Sequence, residues 1–408
     1  MTPQMQSTVE LLDRLVAFDT TSHLSNRACI DFVADYLRGI EIEPVILPDA
    51  TGEKANLFAT IWGMDAHGLA LSNGGGGSSN SAELAGGVCL SGHVDVVPVN
   101  GQAWTSDPFT LTQRGTRLYG RGTTDMKGFV ACALAAVPNF QRAKLKTPIH
   151  IALSHDEEIG CVGVRAIADR LGQDLPLPKA VFVGEPTGME VVDAHKGPAR
   201  WKLSVVGRAA HSSMAHQGVN AISYMARVMR ALDGLGCELA EGERDARFVP
   251  AYNSLQVTTV EGGTAANIIP VQCDIGFEIR ALPNFDVDSF EAQLRATVLD
   301  PMAAEMRALA PETDVRLQRI NHVPAFAATP GSNAVALALQ FSGHNQTHAV
   351  SYATEAGVFQ SAAAPAVVCG PGHIDQAHTA DEFIEVSELE KCLAFLERLK
   401  AWAQSSAL

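Results

Sequence analysis

The stretch "GVCLSGHVDVVPVNG" runs an apolar strand pattern into His93 and Asp95. Side chains alternate faces along a strand, so these two point the same way. An imidazole and a carboxylate on one face make either a surface pair or a metal ligand with its supporting carboxylate. The pair alone leaves both open. Further carboxylates recur where apolar runs end: Glu157 and Glu158 in "PIHIALSHDEEIG", and Glu185 in "KAVFVGEPTG". Asp125 lies in the glycine-punctuated "YGRGTTDMKG", and His378 in "GHIDQAHTADEF" after the last apolar strand. Singly, each has a plainer reading. Asp125 suits a turn or a helix N-cap, Glu157–Glu158 a solvated acidic pair, and His378 a loop histidine. Gathered together, the carboxylates would repel one another and raise each other's pKa. One or two divalent cations remove that conflict. Imidazole with carboxylate is a zinc-compatible donor set, and cobalt, manganese or nickel also fit it.

The gathering depends on the elements that carry these residues. "NLFATIWG", "GVCLSGHVDVV", "PIHIALS" and "KAVFVGE" read as strands, while Asn26–Leu37 and "MKGFVACALAAV" read as helices. The N-terminal helix places Val9, Leu12 and Val16 on one stripe. Strands alternating with helices predict a largely parallel mixed sheet flanked by helices. In such sheets ligands bind beyond the carboxyl ends of the strands, where these side chains fall. After about Lys196 the order becomes β-α-β-β-α-β, ending in "DSFEAQLRATVLDPMAAEMRAL" as a helix and "DVRLQRINH" as a strand. That order is the ferredoxin-like split βαβ sandwich. From about Pro324 the α/β texture returns with "AVALALQFSG" and "PAVVCGPG". The expected architecture is α/β and discontinuous. A catalytic domain over 1–196 and 322–408 is interrupted by an α+β lid or dimerisation domain over 197–321.

Composition excludes several classes. A chain of 408 residues is too long for most single cores. Its net charge of −15, with no basic run, argues against nucleic acid. No apolar run is long enough to span a membrane. The N-terminus lacks the basic and apolar regions of a signal peptide. The eight cysteines form no Cys-x-x-Cys pair and sit singly in apolar stretches, which fits a reducing cytoplasm. The Gly-rich segment Ser72–Gly87 is not followed by the Gly-Lys-Ser/Thr of a phosphate loop and reads as a solvated loop. No Gly-x-Ser-x-Gly elbow points to a serine hydrolase.

The motifs "SGHVDVVP", "GRGTTDMKG", "HDEEIG", "GEPT", "GRAAHSSMAHQGVNAI", "GGTAANIIP" and "QAHTADEFI" run along nearly the whole chain. Together they resemble the two-metal amidohydrolases and peptidases that include aminoacylase, carboxypeptidase G, succinyl-diaminopimelate desuccinylase and acetylornithine deacetylase. "GQAWTSDPF", "TEAGVFQ" and "VVCGPGHIDQAHTADEF" are most similar to the last of these. The resemblance implies two divalent ions, zinc or cobalt. His93 and Glu185 would hold one and Glu158 and His378 the other, with Asp125 bridging. Asp95 would orient the His93 ring, and Glu157 would be the general base. His211, in the inserted domain, would reach a partner subunit's site in a homodimer and stabilise the oxyanion, or else simply cap a strand end. Asn267 and Arg280 would contact the substrate carboxylate. Glu355 would meet a cationic side-chain amine, or serve as a structural carboxylate. The implied reaction is deacylation of a small N-acyl amino acid in the cytoplasm, N2-acetyl-L-ornithine to L-ornithine and acetate in arginine biosynthesis. The alternatives are a desuccinylase, aminoacylase or dipeptidase of the same family, or a non-catalytic metal-dependent binding protein. Two features depart from relatives: His155 in "HDEE", and the length of the Ser72–Gly87 segment.

Overall fold

A computed structural model describes residues 2–63 and 86–405. All but the end of the Ser72–Gly87 segment lies outside the described residues. The chain divides into two units. The first comprises Met1–Ala194, Ala327–His348 and Thr354–Leu408, and the second His195–Phe326 with Ala349–Ala353.

The first unit is built on a mixed sheet. Ile149–Ser154, Val88–His93, Ala180–Pro186 and Ala366–Gly370 lie side by side and parallel. Ala55–Ile61 joins Ile149–Ser154 antiparallel and pairs in turn with Val45–Pro48. The parallel strands are buried throughout, as expected where helices cover both faces. Alternate residues split between the faces. Leu57, Ala59, Leu90 and Phe182 join one core with the helices Pro3–Val16, Arg27–Arg38, Gly128–Arg142, Asn333–Ser342 and Val386–Ser405. The short helices Val164–Ala168 and Ala356–Ser361 pack elsewhere against the same strands. The N-terminal stripe buries Leu12 and Val16 completely and Val9 in part. The helix predicted over Asn26–Leu37 forms at Arg27–Arg38, with Ile30, Val33 and Leu37 buried.

Close approach sets one detail next to the site. A Cβ on Gly184 would lie 2.1 Å from the Phe129 ring, so only glycine lets the helix Gly128–Arg142 seat against the strand carrying Glu185.

The second unit is a four-stranded antiparallel sheet in the order Ser254–Gly262, Gln272–Ala281, Gly197–Val206, Asp314–His322. With the helix Ala221–Glu241 and the later helical stretch, the chain order is β-α-β-β-α-β. Its core collects Trp201, Leu203, Met225, Val228, Phe277, Phe290 and Met302. The helix expected over "DSFEAQLRATVLDPMAAEMRAL" is interrupted. Val287–Leu294 and Asp300–Leu309 are joined by a wider π-type turn over Arg295–Leu299. Pro301 sits at the start of the later segment, where its missing N–H costs nothing, and it could not continue an unbroken ladder. Among the described residues, no helix is long and apolar enough to cross a membrane.

Candidate metal centre

The parallel strands end at one place, and the predicted residues meet there. His93 closes its strand, and Glu185 lies one residue from the end of the next. Glu157 and Glu158 follow the end of Ile149–Ser154. Asp125 comes from the Thr123–Lys127 turn that leads into the helix Gly128–Arg142, with an extended backbone at φ −120° and ψ 91°. His378 follows Ala366–Gly370 in a left-handed conformation at φ 62°, unusual for a residue with a Cβ. The Gln102 amide donates to its carbonyl at 2.8 Å.

The distances describe two overlapping sets. His93 Nε2 lies 3.0 Å from Asp125 Oδ1 and 3.8 Å from Glu185 Oε1. His378 Nε2 lies 3.1 Å from Asp125 Oδ2 and 3.0 Å from Glu158 Oε2. The two oxygens of Asp125 therefore face two different histidines, the disposition of a bridging carboxylate. Ligand atoms of His93, Glu157 and Glu185 fall within 4.8 Å of one another, and so do those of His93, Asp125 and Glu158. Position alone thus leaves Glu157 as near the first set as Glu158 is to the second.

Electrostatics favours a cation. Burial would raise Asp125, but hydrogen bonds with His378 and His93 hold it well below the usual carboxylate range. Burial pushes Glu158 up to about 7, with the charge of Asp125 adding to it. Burial also pushes Glu185 well up, helped by Asp125 and Glu157, and Glu157 well up, helped by Glu158 and Asp125. Hydrogen bonds to Asp125 and Glu158 carry His378 up to about 10. Four carboxylates share two histidines here, and the excess negative charge is what divalent ions would neutralise. The oxygen and imidazole donors fit such ions.

Supporting residues hold this arrangement. The Asp95 carbonyl lies 3.0 Å from His93 Nδ1, and its carboxylate is 3.5 Å from the same nitrogen. That carboxylate also accepts from the backbone N–H of Glu157 at 3.1 Å and Glu158 at 3.3 Å, and from the Ser22 hydroxyl at 2.8 Å. Asp95 therefore ties one loop to another as well as facing a ring. Several partners were given no role by the motifs. Buried Glu382 accepts from the N–H of Gly122, Thr124 and Asp125 and pairs with Arg121 at 2.8 Å, bracing the turn that presents Asp125. The Cys161 thiol donates to Glu157 Oε1 at 3.3 Å. Glu382 stands inside the motif "QAHTADEFI", four residues after His378, but the motif gave it no role.

Glu355 is 1% exposed. One of its oxygens accepts from Ser91 at 3.2 Å and the other from Ser154. Burial raises its pKa.

His211, Asn267 and Arg280 belong to the second unit. His211 is exposed and caps the short helix Ser212–Gln217, its Nδ1 accepting from Ser213 N–H at 3.2 Å. The neighbouring Ser212 N–H donates to the Asn267 carbonyl at 2.9 Å, so His211 and Asn267 sit together. Arg280 stands on the strand Gln272–Ala281 and pairs with Glu278 at 2.5 Å, as does Arg200.

Residues 89–401 match peptidase family M20/M25/M40. An acetylornithine deacetylase from Yersinia pseudotuberculosis is 33% identical over 92% of this chain and 90% of its own length. The aminopeptidase PepT of Bacillus cereus has the same fold, with a TM-score of 0.70 at 20% identity over 98% of this chain and 99% of its own. A dinuclear metal binding peptidase from Bacillus subtilis superposes with a TM-score of 0.61 at 16% identity, over 98% and 99% of the two chains. Strand ends that gather histidines and carboxylates, on a fold and a sequence shared almost end to end, place the chain in the peptidase M20/M25/M40 family of metal-dependent hydrolases.

Proposed function

We propose that the chain is a two-metal amidohydrolase that deacylates an N-acyl amino acid, with N2-acetyl-L-ornithine as its substrate and L-ornithine and acetate as products. The observation that carries the reading is Asp125, whose two oxygens face His93 and His378 separately. His93 and Glu185 would hold one ion, Glu158 and His378 the other, and Asp125 both. Zinc suits the donors, and cobalt is the natural substitute. Bound there, the ions supply charge neutralisation, polarise an acyl carbonyl and lower the pKa of water from about 15.7 toward about 7. Glu157 then takes the proton from the attacking water and passes it to the departing amine nitrogen. The Cys161 thiol donates to one of its oxygens, which supports a carboxylate held in place for proton transfer. Asp95 fixes the His93 ring through Nδ1.

Four further residues would take part, three of them, His211, Asn267 and Arg280, carried by the inserted unit. His211 would stabilise the tetrahedral oxyanion across a homodimer built through that unit. Asn267 and Arg280 would bind the substrate carboxylate, for which a guanidinium is geometrically suited. Glu355 would answer the side-chain amine of ornithine. The similarity to an acetylornithine deacetylase supports this choice of substrate over a desuccinylase, aminoacylase or dipeptidase activity. We place the enzyme in the cytoplasm, in keeping with its free cysteines. The test is a panel of acetyl-ornithine, succinyl-diaminopimelate, acetyl-methionine and simple dipeptides on metal-reconstituted protein. Acetyl-ornithine should give the highest kcat/KM. A higher value for another member reassigns the substrate, and turnover of none removes the catalytic reading.

A further inference from the structure

The turn that delivers Glu157 and Glu158 has an unfavourable backbone. Asp156, immediately before them, adopts φ 56°, a left-handed conformation that most side chains with a Cβ avoid and that Asp and Asn tolerate best. The turn closes on itself through the Val162 N–H to the Asp156 carbonyl at 3.0 Å and the Gly163 N–H to the His155 carbonyl at 3.1 Å, and the sheet braces it from outside. Ala55–Ile61 runs antiparallel to Ile149–Ser154 with Leu57 opposite Leu153. Continued by three residues, that register sets Lys54 opposite Asp156. The Lys54 ammonium lies 2.5 Å from Asp156 Oδ1, and both side chains are nearly buried, at 17% and 11% exposure. The same ammonium donates to the Ser22 carbonyl at 2.5 Å. Asn56, two residues on, accepts from the His155 N–H at 3.2 Å and donates to the Gly163 carbonyl at 2.8 Å, closing the turn from its other side.

These contacts form one connected chain. Lys54 grips Asp156 directly. Through Ser22 it also reaches Asp95, because the Ser22 hydroxyl donates to Asp95 Oδ2. Asp95 in turn accepts from the backbone of Glu157 and Glu158 and faces His93 Nδ1. A single ammonium therefore connects to both ends of the segment that carries the two glutamates. Paired and hydrogen-bonded at low exposure, it holds this geometry far better than a surface ion pair would.

We infer that Lys54 is a positioning residue, which clamps the His155–Glu158 turn through Asp156 and thereby sets where the Glu157 and Glu158 carboxylates stand. The inference rests on the two-metal reading and adds to it a residue that touches neither ion nor substrate.

The experiment pairs cobalt titration, followed by visible absorption, with kcat and KM on acetyl-ornithine at saturating metal. In Lys54→Gln, one of two cobalt steps should weaken about tenfold and kcat should fall at least tenfold, with KM within about threefold. Lys54→Arg should restore most of both. Asp156→Asn serves as the second variant, because asparagine tolerates left-handed φ while losing the charge. It should show the same pattern more mildly, and Lys54→Gln/Asp156→Asn should be no worse than Lys54→Gln alone. Thermal melts confirm that each protein is folded at the assay temperature. Wild-type values for both the cobalt steps and kcat in folded Lys54→Gln overturn the proposal, as do strictly additive losses in the double variant. If wild type turns over no acyl amino acid, the proposed function fails, and the cobalt titration alone then decides the role of Lys54.

Discussion

Glu157 and Glu158 are neighbours with opposed proposed roles, and geometry alone does not separate them. Both come within reach of histidine, Glu157 in a set with His93 and Glu185, Glu158 in a set with His93 and Asp125. Chemistry should separate them. Glu157→Gln keeps size and hydrogen bonding but cannot accept a proton. General-base catalysis contributes typically about 10² to 10⁴-fold, or roughly 3 to 5 kcal/mol of barrier. That loss should appear in kcat while metal content after dialysis stays at two per chain. Glu158→Gln should instead lose one ion. The reverse pattern exchanges the two roles. Glu355 is tested by specificity. Glu355→Gln should lower kcat/KM for acetyl-ornithine more than for acetyl-methionine. Equal losses would leave it the structural part that its bonds to Ser91 and Ser154 already describe. The sequence disclosed residues whose chemistry is conspicuous, namely histidines and acids at the ends of apolar runs. It gave no role to Ser22, Lys54, Cys161 or Glu382, whose work is to brace the segments that carry the site. Ser22 and Asp95 lie 73 positions apart, and no local pattern records such a pairing.

At the scale of elements, periodicity was a good guide because burial is what periodicity reports. "DVRLQRINH" forms the strand Asp314–His322, and Asn26–Leu37 is helical but for its first residue. Turns were less legible. Asp125 reads as a candidate metal ligand in a glycine-punctuated turn, but nothing local announces that its extended backbone is braced by Glu382, more than 250 positions away. Glycines beside the site carry the same lesson, since their meaning lies in what approaches them. Gly184→Ala is predicted to force the Phe129 ring from its seat. Overpacking of this kind typically costs about 1 to 3 kcal/mol, measurable by urea unfolding. Because Gly184 adjoins Glu185, one metal site should weaken as well. Unchanged stability would mean that the helix Gly128–Arg142 shifts to accommodate the methyl at little cost.

For the whole molecule, four of the carboxylates behind the net charge of −15, Asp125, Glu157, Glu158 and Glu185, stand at one place, where divalent ions would neutralise them. Exhaustive chelation should therefore abolish hydrolysis, and added zinc or cobalt should restore it. Full activity in protein shown to be metal-free would remove the ions from the reaction. The inserted unit poses the larger question, because the His211 side chain is exposed and, among the described residues, its ring bonds to Ser213 alone. An exposed imidazole with no internal employment beyond a helix cap is suited to a contact formed in assembly. If His211 serves the site of a partner subunit, two inactive variants should complement each other. A dimer of one His211→Ala subunit and one Glu157→Ala subunit contains one site with both residues intact and one with neither. Closed two-fold dimers that exchange at random from an equal mixture should then recover roughly a quarter of wild-type turnover. If His211 acts within its own chain, every site lacks one group and mixing recovers nothing. Mass spectrometry of the mixture establishes that hybrids have formed. Hybrids present without recovered activity would confine His211 to its own subunit, and the homodimer would then have no catalytic reason to exist.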